Sequence, residues 1–186
     1  MDAFVYLQVR PGMVEDVVVQ LQNAKGVRAA VAVVGDWDVL VAAHGPDLLD
    51  VATNVLRTIH RIDGVQRTCT APIVPGDVLG LMGGGLRTPV PMQQHGNACF
   101  VHIKVVAGSS TSVAEALADV EDVSAVAIAA GEFDVIVEIP YAWEQAARVI
   151  VDHIQALPGV VATKTLVAIP HVELDGEDRD QFSAWS

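Results

Sequence analysis

The chain repeats itself at a spacing of about one small domain. Three pairs of segments carry the repeat: 4–9 with 100–105 and 35–38 with 131–134 at an offset of 96 residues, and 62–70 with 157–165 at an offset of 95. Such a repeat is too long for one unit of a solenoid protein. The sequence therefore predicts a tandem duplication of one fold, and two copies in one chain imitate a twofold dimer.

Each copy has the residue pattern of four strands and two helices. In the first copy, Val5, Leu7 and Val9 alternate with other residues, which predicts a strand, and apolar residues spaced by three and four predict a helix over 14–25. Gly35-Asp36 predicts a hairpin turn, and Asp47 is the expected N-cap of the second helix. The order is β-α-β-β-α-β, the ferredoxin-like arrangement.

The predicted domains follow from the repeat. We expect repeat 1 over 1–74, a Gly- and Pro-containing linker over 75–98, repeat 2 over 99–170, and an acidic tail over 171–186. Both helices of a ferredoxin-like fold cover one face of its sheet, which leaves Phe4, Tyr6, Phe100 and His102 on the other face. That face is too apolar to stay in water. We therefore expect an α+β protein whose two sheets pack face to face, within one chain or between chains, as in a dimeric α/β barrel.

Composition narrows the classes of partner. The net charge is −12, and the 52% hydrophobic and 18% charged residues indicate a packed core. With no basic patch, direct nucleic-acid binding is not expected. No apolar run reaches the length of a membrane span, and no signal peptide is visible, so we expect a cytoplasmic protein without a membrane contact.

The recurring motifs resemble those of one family. Gly-Val, then Gly-Asp-aromatic-Asp before an apolar strand, then Gly-Val-x-x-Thr-x-Thr, is similar to the effector-binding (RAM) domain of the Lrp/AsnC transcription regulators. In this chain the pattern occupies 26–27, 35–41 and 64–70, and in the second copy 123, 131–137 and 159–165, where Glu132 replaces the turn aspartate. Regulators of this family also carry an N-terminal helix-turn-helix. Here the first strand is expected at residue 3, which predicts a chain without that DNA-binding domain.

The resemblance implies a small-molecule effector, an amino acid or related metabolite, bound near the hairpin turns, and assembly into a homo-oligomer. Asp36 or Asp38 would receive the ammonium group of such an effector. The alternative is that Gly35 and Asp36 only shape the turn and that the threonines reflect strand propensity. The candidate ligand-binding residues are Gly35, Asp36, Asp38, Thr68, Thr70, Gly131, Glu132, Asp134, Thr163 and Thr165.

Other functions are not favoured by the residues. The six histidines do not recur with the repeat and lack metal-site spacing, so neither a metal nor another cofactor is expected. No catalytic constellation recurs either, and we expect a protein that is not an enzyme. Two alternatives stay open: a structural partner that co-assembles with Lrp/AsnC-type regulators, and a small ferredoxin-like barrel enzyme. A pocket inside a barrel, lined by Tyr6 or His102, would favour the enzyme.

Overall fold

The computed structural model describes residues 1–75 and 97–169. Repeat 1 contains β1 (Asp2–Val9), α1 (Val14–Gln22), β2 (Val27–Val34), β3 (Val39–His44), α2 (Leu48–Asp50), a π-helical turn (Val51–Val55), α3 (Leu56–Ile59) and β4 (Val65–Pro72). Repeat 2 contains β5 (Cys99–Val105), α4 (Ser110–Ala118), β6 (Ala125–Ile128), β7 (Val135–Ile139), α5 (Trp143–Val149), a second π-helical turn (Ile150–Ile154) and β8 (Val160–Ala168). The predicted β-α-β-β-α-β order is confirmed in both repeats. The predicted linker and tail lie almost entirely outside the described residues.

The strands of both repeats join into one sheet. Its order is β4-β1-β3-β2-β8-β5-β7-β6, so each half keeps the same ferredoxin-like order and the halves meet at β2 and β8. Val33 pairs with Ala168 at that junction. Ile73 pairs with Ala129 at the opposite junction, beside β4 and β6. The two junctions are equivalent, because Val33 corresponds to Ala129 and Ile73 to Ala168 in the repeat. Together they close the sheet into a barrel.

Three apolar cores follow from this closure. Two of them lie between the helices and the outer face of the half-sheets, one in each repeat. The core of repeat 1 contains Leu7 and Leu21, and the core of repeat 2 contains Ile103 and Leu117. The third lies inside the barrel. Its larger members are Phe4, Tyr6, Leu40, Phe100, Ile136 and Leu166, all nearly inaccessible to solvent. The sequence predicts that the two uncovered sheet faces pack together, within one chain or between chains. In the structure they pack within the chain, and the two half-sheets are also joined at their edges.

Local signals seen in the sequence also operate in the structure. The Asp47 carboxylate accepts a hydrogen bond of 2.8 Å from the backbone N–H of Asp50, as expected of an N-cap.

In the described part of the chain, no helix has the length and apolar character needed to span a membrane.

Candidate functional site

A cavity of about 530 Å³ opens at the end of the barrel that carries both hairpin turns. Its volume is in the range of small-molecule binding sites. The lining residues come from both repeats: Tyr6, Gln8, Gly35, Asp36, Trp37, Arg67, Cys69, Thr70, Ala71, His102, Glu132, Phe133, Ile136, Lys164, Thr165 and Leu166. A site of this composition exists only because the two repeats close one barrel.

Tyr6 and His102 form the polar base of the cavity. The Tyr6 hydroxyl lies 2.7 Å from Nε2 of His102. Tyr6 is 5% exposed and His102 is 3% exposed, and His102 is the one buried polar or charged residue in the described ranges. The two side chains occupy equivalent positions, since β1 and β5 align at an offset of 96 residues. Their contact places the pseudo-twofold axis of the barrel between them.

Burial keeps both members of the pair uncharged. It lowers the pKa of His102 to about 4, and the nearby Lys164 charge acts in the same direction, while hydrogen bonds to the backbone of Lys164 and Phe100 oppose the shift. Burial also raises the pKa of Tyr6 above its usual value, with further contributions from Cys69 and Glu132. At neutral pH the pair is therefore a phenol and a neutral imidazole. With the ring proton on Nδ1, the Tyr6 hydroxyl donates to Nε2.

Aromatic rings form a row across the cavity. Ring centroids lie 5.9 Å apart for Trp37 and Tyr6, 5.1 Å for Tyr6 and His102, and 5.3 Å for His102 and Phe133. Trp37 and Phe133 are themselves equivalent in the two repeats, so the row is arranged symmetrically about the axis. Neighbouring rings are inclined to one another by 39°, 66° and 56°, so they line the cavity with a mixture of ring edges and faces against which an aromatic ligand can pack.

Charged side chains surround the mouth. The Nζ atom of Lys164 lies 2.8 Å from the Asp36 carboxylate and 3.5 Å from that of Glu132, so it links the two hairpins. The hydrogen bond to Asp36, followed by the charge of Asp36, raises the pKa of Lys164. On the wall formed by repeat 1, the Arg67 guanidinium lies 5.3 Å from the Trp37 ring centroid. The mouth therefore presents both signs of charge.

Half of the predicted site residues border this cavity. They are Gly35, Asp36, Thr70, Glu132 and Thr165. Thr70 pairs with Val5 and Thr165 with Val101, whose side chains face the helices, so the two threonines border the cavity through their backbone.

Gly35 is required where β2 approaches β8. Its φ is +151°, and a Cβ atom there would lie 2.5 Å from Leu166 Cδ2 and 3.2 Å from the Thr165 carbonyl oxygen. Gly131, its equivalent, has room: an added Cβ would lie 3.7 Å from Ala71. The two turns have similar sequences, but a side chain is sterically excluded only at Gly35.

The other predicted residues lie away from the cavity lining. The Asp38 carboxylate accepts a hydrogen bond of 2.8 Å from the Val9 N–H, and Asp134 accepts one of 2.9 Å from the Val105 N–H. Both N–H groups sit where the strand register shifts, so each carboxylate satisfies a donor that the bulge leaves unpaired. On the helix side, Thr68 contacts His60 at 2.8 Å and Thr163 accepts from Gln155 at 3.0 Å. A ligand-binding role for these residues remains a prediction.

Several cavity residues are not among the candidates that the sequence motifs indicate. The sequence connects Tyr6 and His102 only with a barrel enzyme, and its motifs do not single out Trp37, Phe133, Arg67 or Lys164 as ligand-binding residues. A signal for the central pair nevertheless exists in the sequence. Equivalent inward residues of two repeats meet only where the pseudo-twofold axis passes between them, so the repeat limits the candidates for a central pair to a few such positions.

The barrel architecture is shared with a known enzyme. The siroheme decarboxylase NirDL aligns with 99% of this chain and 78% of its own length, at 10% identity and a TM-score of 0.64. Its complex with an iron-uroporphyrin III analogue aligns with 90% of this chain and 70% of its own, at 11% identity and a TM-score of 0.62. Identities this low show a common fold. The prediction that the chain is not an enzyme is contradicted by these neighbours, since the double-repeat barrel occurs in an enzyme and the cavity lies inside it.

A shorter protein aligns with part of the chain. The hypothetical protein PHS023 from Pyrococcus horikoshii aligns with 40% of this chain and 90% of its own length, at 24% identity and a TM-score of 0.37. A search of curated proteins gives no match. The family model described as the Lrp/AsnC ligand binding domain matches residues 2–74 and again residues 98–177. The chain therefore belongs to the Lrp/AsnC ligand-binding domain family and carries that domain twice.

Proposed function

We propose that the chain is an enzyme that carries out acid–base chemistry on a small molecule bound in the barrel-end cavity, with Tyr6 and His102 as the proton-transferring pair. The observation that carries this proposal is the 2.7 Å contact between the Tyr6 hydroxyl and His102 Nε2 at the base of a cavity of about 530 Å³. Side chains that transfer protons must lie within hydrogen-bonding reach of the ligand.

The protonation states give each residue a role. Because the pKa of His102 is lowered to about 4, its ring is neutral at physiological pH, and Nε2 is available as an acceptor and a weak base. Because the pKa of Tyr6 is raised, its hydroxyl stays protonated and can donate. A ligand oxygen that takes over the Tyr6 hydrogen bond frees Nε2 to receive a proton from the same ligand. General acid–base catalysis of this kind contributes roughly 10²- to 10⁴-fold in rate.

Decarboxylation is the first reaction class to test. When a carboxylate leaves as CO₂, the C–C bond breaks, and the carbon keeps the electron pair and must be protonated. The Tyr6 hydroxyl lines the cavity and would give that proton, and the resulting phenolate would take a proton back from solvent water. The support from outside this chain is the shared fold with the siroheme decarboxylase NirDL. The chain's own support is the uncharged donor–acceptor pair beside the aromatic residues of the cavity.

The ligand class expected from the sequence belongs to the same site. Asp36 and Glu132 lie at the mouth, where the ammonium group of an amino acid or related metabolite would compete with Lys164 for their carboxylates. Such a ligand could also report to assembled Lrp/AsnC-type regulators, and self-association into an oligomer in the cytoplasm fits that role. These refinements remain proposals and depend on which ligand the cavity selects.

Solvent exchange tests the proposal across several classes of substrate at once. The purified chain is incubated in D₂O with separate panels of amino acids, aromatic acids and siroheme, and mass spectrometry follows deuterium incorporation and CO₂ loss. We expect one panel to react, and Tyr6→Phe and His102→Gln each to slow the reaction by about 10²-fold or more. The control His153→Gln removes an exposed histidine outside the cavity and should leave the rate unchanged. Equal rates in all four proteins, or binding without exchange, would exclude this function.

A further inference from the structure

The cations that line the cavity are not equally available. Lys164 is held by Asp36 and Glu132, at 2.8 Å and 3.5 Å. Arg67 has no carboxylate within ion-pair distance among residues 1–75 and 97–169, and its contact is the Trp37 ring. A guanidinium stacked on an indole is oriented but keeps its N–H groups free for an anion. Arg67 is thus the residue in the lining that can accept a ligand carboxylate without breaking an ion pair.

The position of Arg67 relates it directly to the Tyr6–His102 pair. In the β1–β4 register, Arg67 lies opposite Gln8, and Cys69 lies opposite Tyr6 on the same inward face. Residues two apart on a strand are separated by about 7 Å. This spacing is between the backbone positions of Arg67 and Cys69. It places Arg67 on the same wall of the cavity as Tyr6, so one ligand in the cavity can contact both.

The duplication makes this arrangement one-sided. Repeat 2 has Ala162 at the position equivalent to Arg67, and repeat 1 has Cys69 at the position equivalent to Lys164. A true homodimer would present each group twice and bind a ligand in two equivalent orientations. Here the single free guanidinium fixes one orientation.

From these observations we infer that the cavity selects planar carboxylic acids, with the carboxylate on the Arg67 guanidinium and the ring against the Trp37–Tyr6–His102–Phe133 row. The inference rests on the proposed function for the place of binding and adds the class of substrate. A carboxylate and a guanidinium can form two parallel hydrogen bonds, which gives geometric selection as well as charge. The net charge of −12 does not favour anions at long range, so recognition depends on this short-range contact.

Three probes of one shape separate charge from ring binding. Isothermal titration calorimetry is carried out with 2-naphthoate, the neutral 2-naphthamide and the cationic 2-naphthylmethylamine. We expect 2-naphthoate to bind at least about tenfold more tightly than 2-naphthamide, as a charge-assisted pair should provide. Arg67→Ala should remove that difference, and Arg67→Lys should retain part of it. The control Arg10→Ala removes an exposed arginine paired with Asp63 outside the cavity and should change nothing.

Cys69 reports where the probe binds. Its thiol borders the cavity and is partly exposed, whereas Cys99 is fully buried. Bound 2-naphthoate should slow alkylation of Cys69 by iodoacetamide in the wild-type chain and not in Arg67→Ala. The inference is overturned if the amine binds most tightly, if the carboxylate preference survives in Arg67→Ala, or if Cys69 is not protected.

The two proposals fail separately. Tyr6→Phe should slow exchange chemistry by about 10²-fold or more but keep the 2-naphthoate preference, because Arg67 is unchanged. Loss of the carboxylate preference with exchange chemistry intact therefore overturns only the inference about substrate class. Tight 2-naphthoate binding in a chain that exchanges no ligand proton overturns only the proposed enzyme.

Discussion

We expect His102→Gln to remove the part of the loss in free energy of unfolding at low pH that His102 causes. Burial lowers the pKa of His102 from 6.5 to about 4. Below pH 6.5 the unfolded chain binds a proton that the folded chain does not, so this stability is complete above pH 6.5 and is lost as pH falls toward 4. One pKa unit corresponds to about 1.4 kcal/mol, so at pH 5 the wild-type chain has lost about 2 kcal/mol that His102→Gln has not.

Glu138 gives the free energy of unfolding the opposite dependence on pH. It lies opposite Phe100 in the β5–β7 register and therefore faces the barrel interior, where repeat 1 has Ala42. Burial raises its pKa from 4.5 to about 7. Between these values the folded chain binds the extra proton, so stability falls as pH rises through 7. From pH 5 to pH 8 we expect a loss of about 2 kcal/mol, reduced from the full shift because the side chain is partly exposed.

Between pH 5 and pH 8 the contributions of His102 and Glu138 to the free energy of unfolding nearly cancel in the wild-type chain. Single variants separate the two contributions. Urea unfolding is measured by circular dichroism at pH 5, 6.5 and 8 and constant ionic strength, with stability differences taken against wild type at each pH. Relative to wild type, His102→Gln should gain about 2 kcal/mol from pH 8 to pH 5, and Glu138→Gln should gain about 2 kcal/mol from pH 5 to pH 8. His153→Gln serves as the exposed control. A difference for His102→Gln that stays constant with pH would refute the buried, neutral imidazole.

The remaining predictions concern the turns and the charge of the chain. Asp38→Ala and Asp134→Ala should each lower stability by about 1–3 kcal/mol, because each leaves a strand N–H without its acceptor; unchanged urea midpoints would contradict that role. Gly35→Ala should lower the melting temperature more than Gly131→Ala, since only Gly35 has positive φ and a close neighbour, and equal shifts would contradict the packing at β8. With a net charge of −12, the chain should not retard duplex DNA at physiological salt in a gel-shift assay.

Much of the fold was predictable because its signals are local and occur twice. Alternation at Val5, Leu7 and Val9 predicted β1, and Asp47 predicted the start of α2, and both are confirmed. The closure of the barrel has no comparable local signal. Pairing of Val33 with Ala168 and of Ile73 with Ala129 joins segments that are far apart in the chain. No residue pattern in these segments identifies the strand with which each one pairs.

The site was less predictable than the fold. The need of Asp38 for a partner was visible, because a carboxylate begins an apolar strand. Its partner is the Val9 N–H at a register shift, and a shift of one residue leaves no mark in the residue pattern. The offset of 96 residues shows that Tyr6 and His102 are equivalent inward residues, but the sequence does not show that the pseudo-twofold axis passes between this pair.

A crystal structure with the first ligand found by solvent exchange tests the central claim most directly. The account predicts ligand density in the barrel-end cavity, with a polar ligand atom within about 3 Å of the Tyr6 hydroxyl or His102 Nε2. Density beside Asp38 at a contact between chains, with the cavity of Tyr6 and His102 empty, would contradict the account.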